Sequence, residues 1–180
     1  MKRWHEIFPR SGVGKQMIQI VDWIQRHHLQ TKSLLDFGCG KGGTIRWLQG
    51  LYPQLRIQGW DIGTQKYAKR PRDAEGKLIE YDGIYSIDCW EHIERQDIPD
   101  AIECLRRISH GKTEWCHIID LTPAKKRLPD GRNAHVTLME PQEWQDVFQV
   151  AGCQVTEISI FRQPDRLFGE RVRCQIHCRP

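Results

Sequence analysis

Nowhere in the 180 residues is there a run of about 20 apolar side chains, so no helix is expected to span a bilayer. The basic start Met1-Lys2-Arg3-Trp4-His5-Glu6 lacks an apolar h-region, and no secretory signal is expected. The seven cysteines contain no Cys-x-x-Cys pair. Cys174 and Cys178 find no His/Cys pair elsewhere to complete a zinc pattern, so no metal is expected. Cys39, Cys89 and Cys116 fall in or beside apolar runs, where free cysteine behaves as a small hydrophobe, and a reducing cytoplasm is the expected location. Internal repeats and low-complexity linkers are also missing. Large charge of one sign is missing too: the formal net charge is only +4. The basic clusters Lys66, Lys69, Arg70, Arg72 and Lys125-Lys126-Arg127 are shorter than the runs that mark a nucleic-acid patch. A nucleic-acid partner therefore stays open but is not favoured.

What is present is a globular composition, 39% hydrophobic and 28% charged, in one domain's length of chain. Helix and strand patterns alternate through it. Met17, Ile18, Ile20, Val21 and Ile24 recur at a helical period between about Lys15 and His28. Strands are expected at Ser33–Phe37, Leu55–Asp61, Tyr81–Asp88 and Trp115–Asp120, and helices at Thr44–Leu51, Pro99–Ser109 (Asp97 as N-cap) and Gln142–Val150. Residues 62–80 and 121–139 read as loops. Two last strands, Val155–Phe161 and Arg171–His177, are joined by turn residues Gln163-Pro164-Asp165. That link is too short for a helical crossover, so the pair is expected to be antiparallel. The pattern predicts one α/β domain over 1–180, a mostly parallel sheet with helices on both faces.

The chemistry begins at Leu34-Leu35-Asp36-Phe37-Gly38-Cys39-Gly40-Lys41-Gly42-Gly43. A strand end runs into glycines and then a helix, where backbone approaches a ligand closely and unpaired N–H groups face it. Gly38-Cys39-Gly40-Lys41-Gly42-Gly43 satisfies the dinucleotide fingerprint, and Asp61 stands near the offset of a ribose-binding acid. Asp36 argues against a pyrophosphate, because its carboxylate would crowd two negative charges with no cation in the motif to offset it. The same carboxylate suits an ammonium group or an ordered water.

With these residues the chain resembles the class I S-adenosylmethionine-dependent methyltransferases. Asp36-Phe37-Gly38-Cys39-Gly40-Lys41-Gly42 matches the family's D-x-G-x-G-x-G, and Asp61 ends the second strand. Tyr81-Asp82-Gly83-Ile84-Tyr85-Ser86-Ile87-Asp88-Cys89-Trp90-Glu91-His92-Ile93 is similar to its aspartate-led strand and Leu-Glu-His-like tripeptide. The resemblance implies a Rossmann-like doubly wound sheet with a reversed C-terminal hairpin and S-adenosyl-L-methionine as cofactor. It implies that Asp36, Gly38, Cys39 and Gly40 surround the methionine end, that Asp61 takes the ribose hydroxyls and that Ile62 packs on adenine. Asp88 and Cys89 would lie beside the sulfonium. The family fits a helix and a third strand between positions equivalent to Asp61 and Tyr81. There is little room for both here, so the third strand is expected to be short or missing.

Ligands of doubly wound sheets sit beyond the carboxyl ends of the strands. The long loop Leu121–His135 is therefore expected to meet the acceptor. Asp130, Arg132 and Asn133, with His92, are the expected substrate-binding residues, and His135 the expected catalytic base. Leu128-Pro129-Asp130-Gly131-Arg132-Asn133-Ala134-His135 is similar to a segment of small phage and bacterial methyltransferases. Ser11-Gly12-Val13-Gly14-Lys15 lacks the full phosphate-loop spacing and is expected instead in a lid, with residues 1–30 forming lid and first helix and 31–180 the core. Motifs resembling Asp-Pro-Pro-Tyr or Pro-Cys of DNA methyltransferases are absent. The expected reaction is methyl transfer to O or N of a small-molecule or saccharide acceptor. RNA or protein methylation and a non-catalytic cofactor-binding subunit are the alternatives.

Overall fold

Successive side chains of the first strand go to opposite layers: Leu34 to one apolar cluster, Leu35 and Phe37 to the other. The same division holds along the central strands of the sheet, which are buried on both faces. The structure, a computed structural model, describes residues 16–61, 63, 72 and 75–180. The expected lid segment before residue 16, and Ile62, lie outside the described residues.

In chain order the elements are α1 (Gln16–Arg26), β1 (Ser33–Phe37), α2 (Gly43–Leu51), β2 (Arg56–Trp60), β3 (Tyr81–Ile87), α3 (Ile98–Arg106), β4 (Ser109–Asp120), α4 (Pro141–Val150), β5 (Gln154–Asp165) and β6 (Gly169–Arg179). They form a six-stranded sheet of order β2-β1-β3-β4-β6-β5. The first four strands run parallel, and β6 runs antiparallel to both β4 and β5. On one face, Ile20, Trp23 and Ile24 of α1 and Ile45 and Leu48 of α2 pack on Leu34, Tyr85, Cys116 and Ile118. On the other, Ile98, Ile102 and Leu105 of α3 and Trp144 and Phe148 of α4 cover Leu35, Ile84, Trp115 and Ile176. The strand order reverses between β1 and β3, and ligands of such sheets lie beyond the strand ends at that crevice.

Several boundaries differ from expectation. β4 starts at Ser109, because the polar stretch before Trp115 is held by Thr113, whose hydroxyl accepts from His110 N–H (2.8 Å) and donates to Tyr81 O (2.7 Å). Gln163-Pro164-Asp165 continues β5. The hairpin turn lies beyond it, where Asp165 accepts the amides of Leu167 and Phe168 and Gly169 takes φ +71°. Asp97 precedes α3 but makes no side-chain cap bond. Among the described residues between Asp61 and Tyr81 there is only one isolated bridge, Arg72 to Leu78, so no third parallel strand flanks β2 there. No helix of the described residues is long and apolar enough to cross a membrane.

Candidate active site

β1 ends at Phe37 and the chain turns at once through glycines in the left-handed region, Gly38 (φ +77°), Gly40 (φ +52°) and Gly42 (φ +71°). At Gly38 the need is double. A β-carbon there would lie 2.3 Å from Cys89 Sγ, so the turn after β1 and the turn after β3 close against each other only through glycine. Asp61, just past β2, fastens the arrangement: one carboxylate oxygen accepts the Gly40 amide (2.7 Å), the other the Gly63 amide (2.8 Å).

These turns open onto a cavity of about 600 Å³. Gly38, Asp61, Asp88, Cys89 and His92 line it, and Phe37, Trp60, Ile93 and Ala101 supply apolar wall. Glu94, Asp97 and Asp100 add acid at the α3 side. Among its described lining residues there is no lysine or arginine.

Asp36 and Cys39 stand elsewhere. Both are buried under the turn, on the α1–α2 face, and neither lines the cavity. Burial raises the Asp36 carboxyl to about 7, against a smaller lowering by the Tyr85 hydroxyl beside it, and its Oδ2 has no hydrogen-bond partner. Cys39 packs against Gly59, where a β-carbon would meet its sulfur at 2.5 Å.

Asp88 takes φ +49° and grips Arg173 of β6 in a two-pronged pair, Nε–Oδ1 and Nη2–Oδ2 both 2.8 Å. Arg173 also approaches Asp120 at 3.3 Å, and Arg171 bonds the same Asp120 oxygen. Burial, reinforced by the Glu91 charge, pushes the Cys89 thiol well up, so it is no thiolate nucleophile.

Behind Cys89 a single 3₁₀ turn, Trp90–His92, buries Glu91 completely and leaves His92 exposed to the cavity. The His92 and His135 rings meet edge to face, centroids 4.8 Å apart. His135 is itself buried, and its Nδ1 lies 2.5 Å from Thr122 O. Burial lowers its pKa, against a smaller raising effect of the Thr122 bond.

The rest of the expected acceptor loop is occupied with itself. Asn133 accepts the amides of Ala124 and His135 (both 2.9 Å) and donates to Ala124 O (3.1 Å). Asp130 pairs with Arg132 (2.7 Å), and Arg132 reaches Glu94 on the cavity rim (2.6 Å). The structure thus brings Gly38, Asp61, Asp88, Cys89 and His92 to one cavity. It puts Asp36 and Cys39 beneath it, Gly40 on Asp61, His135 behind His92, and Asp130, Arg132 and Asn133 in the loop outside. Glu91, Asp120 and Arg173 were not singled out from sequence. Arg171 and Arg173, alternating at the start of β6, were the available signal.

A family model described as a methyltransferase domain matches residues 13–158. No curated protein matches the sequence. Among solved structures, the chain is similar to the 1,6-didemethyltoxoflavin-N1-methyltransferase of Burkholderia thailandensis, solved with 1,6-didemethyltoxoflavin and S-adenosylhomocysteine. The TM-score is 0.66 at 14% identity, over 92% of this chain and 78% of that one. TehB of Haemophilus influenzae gives 0.63 at 12% identity, over 98% of this chain and 65% of that one. Phosphoethanolamine N-methyltransferase 2 of Haemonchus contortus, solved with S-adenosyl-L-methionine, gives 0.63 at 13% identity, over 98% of this chain and 55% of that one. At such identities the likeness is one of fold.

Proposed function

The chain belongs to the methyltransferase domain family, with S-adenosylmethionine as its methyl donor. From that premise we propose that it methylates O or N of a small-molecule or saccharide acceptor, through one domain whose core spans residues 31–180. The observation that carries this reading is the convergence of Gly38, Asp61, Asp88, Cys89 and His92, from three separate turns, on one cavity of about 600 Å³. That volume is typical of a cofactor or small-molecule site.

The residues fit the donor. Asp36 keeps an orphaned buried oxygen under the glycine turn, suited to the donor's ammonium group directly or through a water. Asp61 offers a carboxylate able to accept two hydroxyls, next to the apolar wall of Phe37, Trp60 and Ala101 that suits a flat base. Gly40 would carry no side chain into the ligand's path, since a β-carbon there meets nothing within 4 Å.

S-adenosylmethionine supplies an activated methyl group on a sulfonium. The protein's work is alignment: holding acceptor and methyl carbon in line at roughly 3–3.5 Å and excluding water. Asp88 faces this space with its charge balanced by Arg173, so it can orient a ligand without repelling an electron-rich acceptor. His92 and His135 form the acceptor end, where each ring has one nitrogen engaged with a backbone carbonyl and one lone pair to offer. Arg132, through Glu94, ties the loop carrying Asp130 and Asn133 to the cavity rim.

Five carboxylates in the lining, with no arginine or lysine among its described residues, favour a neutral or cationic acceptor over a polyanion. The test uses deuteromethyl cofactor with a cell extract split into small-molecule, nucleic-acid and protein fractions. Label in the small-molecule fraction is expected. Label confined to RNA or protein, with activity falling steeply as salt rises, would replace this reading by the macromolecular one.

A further inference from the structure

Glu91 is an acid set in the interior behind the cavity. It is completely buried, and neither carboxylate oxygen has a hydrogen-bond partner of ordinary geometry. Around it stand two further carboxylates, Asp88 and Asp120, and two arginines, Arg171 and Arg173, which are spent on them. Glu91 is the carboxyl group of the three that no arginine pairs with. Buried charges are retained where they are paired or hold a metal.

Two imidazoles face that carboxylate. His135 Nε2 lies 4.0 Å from Glu91 Oε1, and one ligating atom from each of Glu91, His92 and His135 falls within 4.8 Å of the other two. The outer nitrogens are already engaged: His92 Nδ1 sits 2.8 Å from Ala134 O and His135 Nδ1 2.5 Å from Thr122 O. A carbonyl can only accept, so each Nδ1 carries the hydrogen, and each neutral ring keeps its lone pair on Nε2. Backbone carbonyls that fix the tautomer in this way are the usual outer support of metal-binding histidine. His135 is held in the interior while His92 opens on the cavity, so an ion there would be anchored from behind and reachable from the front.

We propose that Glu91, His92 and His135 form a binding site for one divalent transition-metal ion at the acceptor end of the cavity. Two imidazoles and one carboxylate suit zinc, manganese, cobalt or iron(II) better than calcium or magnesium, which prefer all-oxygen shells. Three protein ligands leave coordination positions open toward the cavity. An acceptor hydroxyl bound there gives up its proton to water near neutral pH, because the ion stabilises the alkoxide. Its oxygen then bonds the methyl carbon while the electron pair of the broken S–C bond stays on sulfur. This role in catalysis rests on the methyltransferase reading above; the ion site itself does not. It also refines the acceptor to a hydroxyl compound, and it makes His135 a ligand in place of a free base.

The test is direct binding with the metal alone, on the full chain and without cofactor or acceptor. Protein stripped with EDTA is titrated with Mn²⁺, which thiols bind poorly, and in parallel with Zn²⁺. One ion per chain is expected. Glu91→Gln and His135→Asn should each weaken binding by about 10–100-fold or more, while His110→Asn, away from the site, should bind as wild type. In EDTA, Glu91→Gln should melt at or above the wild-type temperature, because the amide removes the buried charge; His135→Asn keeps the test decisive if it does not. S-adenosylhomocysteine affinity in EDTA should be retained in every variant. Absence of stoichiometric Mn²⁺ or Zn²⁺ binding by the wild type, or unchanged binding by both variants, would overturn the site. Failure of S-adenosylhomocysteine to bind the wild type would instead remove the methyl-transfer reading and leave the ion site standing.

Discussion

At the residue scale, single atoms decide whether the turns can close. Gly38→Ala combines a left-handed backbone with a β-carbon 2.3 Å from Cys89 Sγ. The expected loss is about 2–4 kcal/mol in urea unfolding, from backbone strain and the displaced Cys89 together. Adding Cys89→Ala should recover only the part due to the sulfur, since the β-carbon of residue 89 would still lie 2.7 Å away. Asp36 gives an opposite-signed case. Its carboxyl is raised to about 7 by burial, from 3.8 in the open chain, so ionising it costs the fold stability. The cost accumulates as pH rises from about 4 to 7, at about 1.4 kcal/mol per unit, and is constant above. Asp36→Asn should therefore melt higher than wild type at pH 8 and similarly at pH 4, yet bind S-adenosylhomocysteine more weakly. A lower melting point at pH 8, or unchanged affinity, would show that the orphaned oxygen is not kept for a ligand.

At the element scale, the site depends on β6 as much as on β1 and β3. Arg173 crosses under β4 to hold Asp88 and Asp120, and so sets the loop that carries Cys89, Glu91 and His92. Arg173→Leu leaves Asp88 without its cation and Asp120 with Arg171 alone. A loss of about 2–4 kcal/mol is expected, with Asp88 partly exposed to water and so partly compensated. S-adenosylhomocysteine affinity should fall with it; a variant as stable as wild type would refute the tie. This contact was not legible in the sequence, because nothing local joins residue 173 to residue 88. The β1 turn was legible, since glycine at positive φ and an acid at a strand end are local requirements. Burial of Glu91 was hidden for the same reason as Arg173: the segment that bonds its main chain, Thr137 N–H to Glu91 O at 3.1 Å, is distant in sequence. The first half of β4 is polar and bulged, with no period for a pattern to find. The hairpin turn moved outward because β5 is an edge strand, where Pro164 needs no partner on its open side.

At the scale of the whole molecule, two clusters on opposite sheet faces fix where the chain can titrate. His117, packed between Trp90, Trp115 and Phe148 on the α3–α4 face, is held by burial at a pKa of about 3, against 6.5 in the open chain. The unfolded chain takes up this proton first, so His117 subtracts stability as pH falls from about 6.5 toward 3, by about 1.4 kcal/mol per unit. Asp36 acts in the opposite sense across much of that window. Against wild type, a His117→Gln variant should therefore lose less stability on acidification and Asp36→Asn should lose more; parallel profiles for all three proteins would contradict both assignments. The turns after β1, β2 and β3 are proposed to build one donor site, with Asp61 fastening it. Calorimetric titration of S-adenosylhomocysteine into wild type and Asp61→Ala tests it most directly. Saturable one-to-one binding is expected, weakened in the variant by about 1.5–3 kcal/mol, the range for charge-assisted hydrogen bonds. Equal affinity in the two proteins would contradict it.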